Sequence, residues 1–193
     1  MKHILVKLMS NLTTISDEEA LAIEDSFPIR TFEKGDLLTK EGQIEKNAYY
    51  VVKGCVREYR LVDGEEKTIN FYTEDQSVVN FDSLANRTPS KQNFECSEKT
   101  TVAILNTKKE QELYAKFPRF ETFCRTGMEK MMGEKQNQLA EFISLKPMQR
   151  YQKLQEERPD LINRVPQYQI ASYLGIKPET LSRIKLRLLI KHN

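Results

Sequence analysis

The spacing of hydrophobic positions divides this chain into stretches of different period. Residues 1–9 are largely apolar but broken by Lys7, and predict a short amphipathic helix, with no small-residue cleavage site of an export signal. Residues 17–26 carry helical spacing through Leu21 and Ile23, with Ala20 and Ala22 as helix formers and Ser16 or Asp17 as the cap. After Pro28 the pattern changes to short runs at 31–33, 37–39, 49–52, 55–61, 67–72 and 101–105, which predict strands. Turn signals at Lys34-Gly35-Asp36, Glu41-Gly42, Lys53-Gly54 and Asp63-Gly64 separate them. Asp63-Gly64 predicts a tight hairpin into the 68–72 strand. Such strands with turn glycines predict an antiparallel barrel or roll, a shape that often holds a small molecule in its mouth.

From Lys108 the period lengthens. Leu113, Phe117, Phe120, Phe123, Cys124, Met128, Met131, Met132, Leu139, Phe142 and Ile143 recur at intervals near three and four. They predict one helix of about 25 residues after Pro118, longer than a roll needs. A long amphipathic helix rich in Met and Phe is core or a dimer seam, and a parallel contact between two copies is the expectation. Pro147 breaks the pattern, placing a hinge at 144–147. Met148, Tyr151, Gln152 and Leu154 then predict a further helix up to Arg158-Pro159.

The stretch 165–185 has spacing for two short helices joined by a tight turn. Ile170, Ala171 and Leu174 form one apolar stripe, with Ala171 small enough for close helix approach. Gly175 suits a helix end at positive φ, and Ile176 can plug the corner. Pro178 fits the first turn of the second helix. Leu181, Ile184 and Leu188 give that helix a buried face, leaving Thr180, Ser182, Arg183 and Arg187 on the other side. Hydroxyl, amide and guanidinium groups on a compact helix pair are what reading base edges in a major groove requires.

Net charge is only +2, but its distribution is uneven. Residues 146–193 hold ten basic residues against four acids, a net of +6, which leaves −4 for the rest. A basic end on an acidic body suits binding of nucleic acid at that end. Cys55, Cys96 and Cys124 are odd in number and form no C-x-x-C pair, which predicts no disulfide framework, no metal site and a reducing, cytoplasmic setting. No apolar run reaches the roughly 18 residues of a membrane helix. His3 and His192 lie at the chain ends, where frayed backbone would position neither imidazole. With no Gly-rich phosphate loop, no catalytic residues are expected and the protein is read as a non-enzyme without a cofactor.

The order of elements resembles the Crp/Fnr family of bacterial transcription regulators across essentially the whole chain. The motifs Arg150-Tyr151, Arg158-Pro159-Asp160-Leu161, the run 165–176 and Glu179-Thr180-Leu181-Ser182-Arg183-Ile184 look most like the branch common in Bacteroidetes. The resemblance implies an α+β fold in three parts. Residues 1–110 would form an N-terminal antiparallel β-roll of cyclic-nucleotide-binding or jelly-roll type, similar to cupins. Residues 111–145 would be the connecting dimerisation helix, and 146–193 an all-α helix-turn-helix whose β-wing is truncated or absent. It also implies a homodimer on double-stranded DNA, with RNA polymerase a further partner. DNA contacts would fall on Gln167, Lys177, Glu179, Thr180, Ser182, Arg183, Lys185 and Arg187, with Arg183 on a guanine edge, Glu179 on a cytosine amine and Thr180 on phosphate. Where many members carry a base-reading arginine, this chain has Pro178. Glu179 and Arg183 could instead form a surface ion pair.

The effector region departs further from the family. Phe81 stands where a glycine approaches the sugar of a cyclic nucleotide, and Asp82 is a shorter acid. Ser90 fills the position of the phosphate arginine, and Lys91 offers charge without a fork. Asp82, Ser90 and Lys91 are candidates for an unknown effector other than cyclic AMP, or else surface loop residues. A small-molecule sensor module without DNA binding is the alternative for the whole chain.

Overall fold

The computed structural model describes residues 3–191. Eight antiparallel strands form two four-stranded sheets. The first runs in the order β1 (Ile29–Phe32), β8 (Thr100–Asn106), β3 (Asn47–Lys53), β6 (Ser77–Val78). The second runs β2 (Leu37–Thr39), β7 (Asn93–Cys96), β4 (Val56–Val62), β5 (Glu65–Tyr72). Leu38, Tyr49, Val51, Val56, Tyr72, Phe94 and Val102 fill the space between them. Side chains alternate across a strand, so Tyr50, between Tyr49 and Val51, faces outward onto helices instead.

The 63–64 hairpin forms as expected, with Val62 opposite Glu65. Asp63 and Gly64 both take positive φ (53° and 79°), the mirror-image turn whose twist matches the strands it joins. Gly54 (φ 112°) is fixed by crowding as well, because a Cβ there would lie 2.6 Å from the Cα of Thr100. Two strands escape the sequence pattern. β6 is only two residues long, and β7 follows a loop holding the short helix α3 (Phe81–Asn86). Cys55 lies just before β4 rather than inside it.

Helices cover both outer faces of the roll. On the first sheet sit α1 (Ile4–Ser10), α2 (Asp17–Ser26), α4 (Thr107–Lys116) and the start of α5 (Arg119–Ser144), joined through Leu5, Val6, Ile23, Phe27, Tyr50, Leu113 and Phe120. Ser16 closes α2 with a reciprocal capping box to Glu19. The expectation that His3 is held by nothing is wrong. Its Nδ1 accepts from the Leu5 N–H at 3.2 Å, and its Nε2 lies 2.7 Å from the Phe27 carbonyl. The burial of α1 against α2 supplies the order that a free chain end would lack. His192 lies outside the described residues.

The 26-residue α5 begins after Pro118 and ends at Ser144, as its spacing predicts, and Leu113 belongs to the separate α4. Only Phe120 of α5 is buried. Met128, Met132, Leu139, Phe142 and Ile143 are exposed, Ile143 at 74%. Their spacings of four, seven, three and one keep them along one side of the helix.

Candidate nucleic-acid interface

Four helices follow the break after α5: α6 (Pro147–Glu157), α7 (Pro159–Arg164), α8 (Gln167–Tyr173) and α9 (Pro178–Lys191). Tyr151, Leu154, Leu161, Val165, Ile170, Leu174, Leu181, Ile184 and Leu188 make their shared core. Ala171 has no exposed surface and lets α8 lie close to its neighbours. Gly175 (φ 69°) stops α8 in the left-handed region. Its N–H reaches the Ser172 carbonyl and the Ile176 N–H reaches the Ala171 carbonyl, each at 3.0 Å. This double bond pattern satisfies carbonyls that the helix end would leave open, and Ile176 packs into the core beside it. Pro178 then opens α9, where a missing N–H costs little.

Burying Leu181, Ile184 and Leu188 fixes which side of α9 faces outward. Glu179, Thr180, Ser182, Arg183 and Arg187 are all exposed, as are Lys177 in the turn and Gln167 at the start of α8. Lys185 Nζ donates to Gln167 Oε1 at 3.0 Å, so these two expected contacts meet across the helix pair. Ser182 Oγ donates to the Pro178 carbonyl at 3.2 Å, leaving its oxygen free only as an acceptor. Among the described residues no ion pair engages Lys177, Arg183, Lys185 or Arg187, and Glu179 is not paired with Arg183. The face therefore presents cations whose charge no carboxylate neutralises.

Several residues that orient this face were visible in the sequence only as basic charge or as parts of the resemblance motifs, with no partner assigned. Arg150 donates from Nη1 to the Leu174 carbonyl (2.7 Å) and from Nε to the Leu145 carbonyl (3.0 Å). Its guanidinium lies 4.0 Å from the centroid of the Phe142 ring, so one side chain joins α5, the hinge and the turn. Arg158 Nη1 donates to the Phe71 carbonyl at 3.0 Å and Nη2 to Thr73 Oγ1 at 3.2 Å. Arg164 reaches both Glu74 and Glu98 of the roll, as well as Asp160 of α7. That guanidinium holds the Glu74 carboxyl down at about 2. Ser172 Oγ accepts from the Thr68 N–H at 2.9 Å, and Tyr173 meets Phe71 edge-on at 5.6 Å. Nothing in a sequence period signals such contacts between distant segments.

In the roll, the three effector candidates do not converge. Asp82 is exposed on α3 and accepts from Asn86 Nδ2, and Lys91 is exposed in the next loop. Ser90 is buried, accepting from Asn80 Nδ2 at 2.7 Å and donating to the Gln92 carbonyl at 2.7 Å. A separate polar group lies on the inner side of β4 and β5. Tyr72 donates to Glu58 Oε2 at 2.7 Å, and Lys135 Nζ of α5 stands 4.9 Å from the Tyr72 ring centroid. Burial raises the Glu58 carboxyl above the usual carboxylate range. Burial also pushes the Cys55 thiol up to about 12 and Cys96 to about 11, so both stay protonated and unreactive near neutrality. Among the described residues no cluster of metal-ligating side chains occurs, and no helix is long and apolar enough to cross a membrane.

The fold has known counterparts. Residues 29–117 match the family described as "Cyclic nucleotide-binding domain", which covers β1 to the end of α4. No curated protein matches the chain. Among solved structures, FixK2 from Bradyrhizobium japonicum superposes with a TM-score of 0.72 at 17% identity, over 86% of each chain. The c-di-GMP responsive global regulator CLP of Xanthomonas campestris gives 0.72 at 13% identity, over 92% of this chain and 93% of that one. A CooA mutant from Carboxydothermus hydrogenoformans gives 0.68 at 18%, over 96% and 84%. At these identities the likeness establishes an α+β architecture: an eight-stranded antiparallel roll of cyclic-nucleotide-binding type followed by helices.

Proposed function

We propose that this protein is a DNA-binding transcription regulator of the Crp/Fnr type, from the Bacteroidetes branch, acting as a homodimer on a palindromic operator. The observation that carries this reading is the outer face of α9. Its hydroxyls and guanidinium groups are exposed, and the guanidinium groups meet no carboxylate, on a helix held by a positive-φ glycine turn. A helix so mounted is a helix-turn-helix recognition element. Arg183 forks onto a guanine edge, Glu179 accepts from a cytosine amine, and Thr180 contacts phosphate. Lys177, Gln167, Lys185, Ser182 and Arg187 hold the backbone around them. The exposed apolar side of α5, with Met128, Met132, Leu139 and Ile143 open to solvent, supports pairing of two protomers, because a run of uncovered apolar side chains gains by burial against a second copy.

The roll serves as the sensor, with residues 1–110, 111–145 and 146–193 as sensor, connector and reader. Its effector is a small molecule other than cyclic AMP, since no arginine fork occupies the position of Ser90. Asp82 and Lys91 are its exposed candidate contacts on separate segments, while Ser90 is engaged by Asn80 and Gln92. RNA polymerase is the further partner of the DNA-bound dimer.

Binding to duplexes selected from randomised DNA tests the reading. Arg183→Ala is expected to cost about 1–3 kcal/mol on the selected site and to relax its sequence preference. Lys185→Ala and Arg187→Ala are expected to weaken binding to all duplexes alike and reduce the salt slope by about 1 each. Equal affinity of the unmodified protein for selected and random duplexes at every salt concentration would refute it.

A further inference from the structure

β4 and β5 have two working faces. Side chains on the inner face, Val56, Glu58 and Tyr72, look into the roll and towards α5. Those on the outer face, including Arg57 and Phe71, lie beneath the helices that carry α9. Phe71 and the neighbouring Cys55 share one buried cluster with Tyr151, Leu161, Ile170 and Leu181, so the core of the C-terminal helices extends onto the sheet. Polar contacts ring this cluster. Thr68 donates to Ser172, Arg158 grips the Phe71 carbonyl and Thr73, and Arg164 bridges Glu74 and Glu98. Gly54 N–H donates to Glu74 Oε1 at 2.8 Å, which holds that carboxylate in place for Arg164.

The contact touches only the back of the unit. Thr180, Ser182, Arg183 and Arg187 remain exposed, and none of them is bonded to the roll. Docking therefore does not cover the reading face. It restricts rotation about the break at 144–147, which Arg150 and the Lys153–Glu141 ion pair between α6 and α5 also span. For a two-fold dimer, that restriction has a thermodynamic consequence. When one recognition helix is bound, the second engages its half-site at an effective concentration set by how narrowly its orientation is held.

We infer that Arg164, with Glu74 and Glu98, is a positioning clamp that fixes the pose of the recognition helix against the roll and so favours simultaneous engagement of two half-sites. The inference rests on the dimeric DNA-binding reading above. The depressed Glu74 carboxyl agrees with it, because the lowering reports that Arg164 stabilises the charged form of that carboxylate.

The test uses the full chain with Glu74→Gln and Glu98→Gln combined. Both positions lie on the roll, away from the reading face, and glutamine keeps an oxygen for the Gly54 N–H. Affinity is measured for the selected duplex and for the same duplex with one half-site scrambled. The double variant is expected to lose roughly tenfold on the intact duplex while binding the half-scrambled one as before. Unchanged half-site binding shows in the same experiment that the variant is folded. Arg164→Lys, which keeps the charge without the fork, is expected to show a smaller loss of the same kind. Equal losses on both duplexes, no loss, or a gain on the intact duplex would overturn the clamp. If the unmodified protein binds neither duplex above random DNA, the functional reading itself fails, which is a distinct result.

Discussion

Single residues in this protein carry conformational constraints that can be measured separately. Gly175 is the clearest, since its positive φ ends α8 and sets the angle of α9. A Cβ there would stand 3.3 Å from Phe142 and 3.4 Å from Arg150, in addition to the strain of the left-handed backbone. Gly175→Ala is expected to destabilise the protein by about 1–2 kcal/mol in denaturant unfolding, with weaker DNA binding alongside. Glu58 makes the opposite kind of prediction. Burial raises its carboxyl pKa in the folded chain, so the native state binds more protons than the unfolded state above the ordinary value of 4.5. Stability should then fall as pH rises from there through the raised value. Glu58→Gln keeps the acceptor for Tyr72 and is expected to remove this part of the slope in thermal unfolding from pH 4 to 8. An unchanged slope would mean that Glu58 ionises freely.

At the level of elements, the legible parts were those with an uninterrupted period. The 26 residues of α5 and the Asp63-Gly64 hairpin were visible because a helix repeat or a turn dipeptide states them locally. The α8–α9 pair was visible for the same reason, with Gly175 and Pro178 marking its turn. β6 was not, since two residues contain no alternation, and α3 and β7 lie where loop residues mask it. His3 was misjudged because its order comes from the Phe27 carbonyl, 24 residues away. The exposed apolar side of α5 carries its own prediction. Leu139 is 61% exposed in the single chain, and placing a charge there should matter only if a second copy covers it. Leu139→Glu is expected to leave helical content intact and weaken self-association by about 3–5 kcal/mol in sedimentation equilibrium. Unaltered association would place the contact elsewhere.

For the whole molecule, the parts connect through two routes. One runs along α5 to Arg150 at the turn, and the other runs directly from the β4–β5 ribbon to α7 and α8 through Arg158, Arg164 and Ser172. The helix of the first route was readable from the sequence, but the arginine contacts of both were not, because arginine in a basic tail looks the same whether it meets phosphate, a carbonyl or a carboxylate. The outward residues of α9 were readable, since burying Leu181, Ile184 and Leu188 leaves them no other direction. In the proposed dimer, two copies of α9 enter successive major grooves on one side of a duplex. Hydroxyl-radical and methylation-protection footprinting of the full-length protein on its selected duplex reads this directly. Two protected patches about 10–10.5 base pairs apart, centre to centre, are expected, related by a two-fold axis and sensitive to Arg183→Ala in both. A single patch, or protection confined to the minor groove, would contradict it.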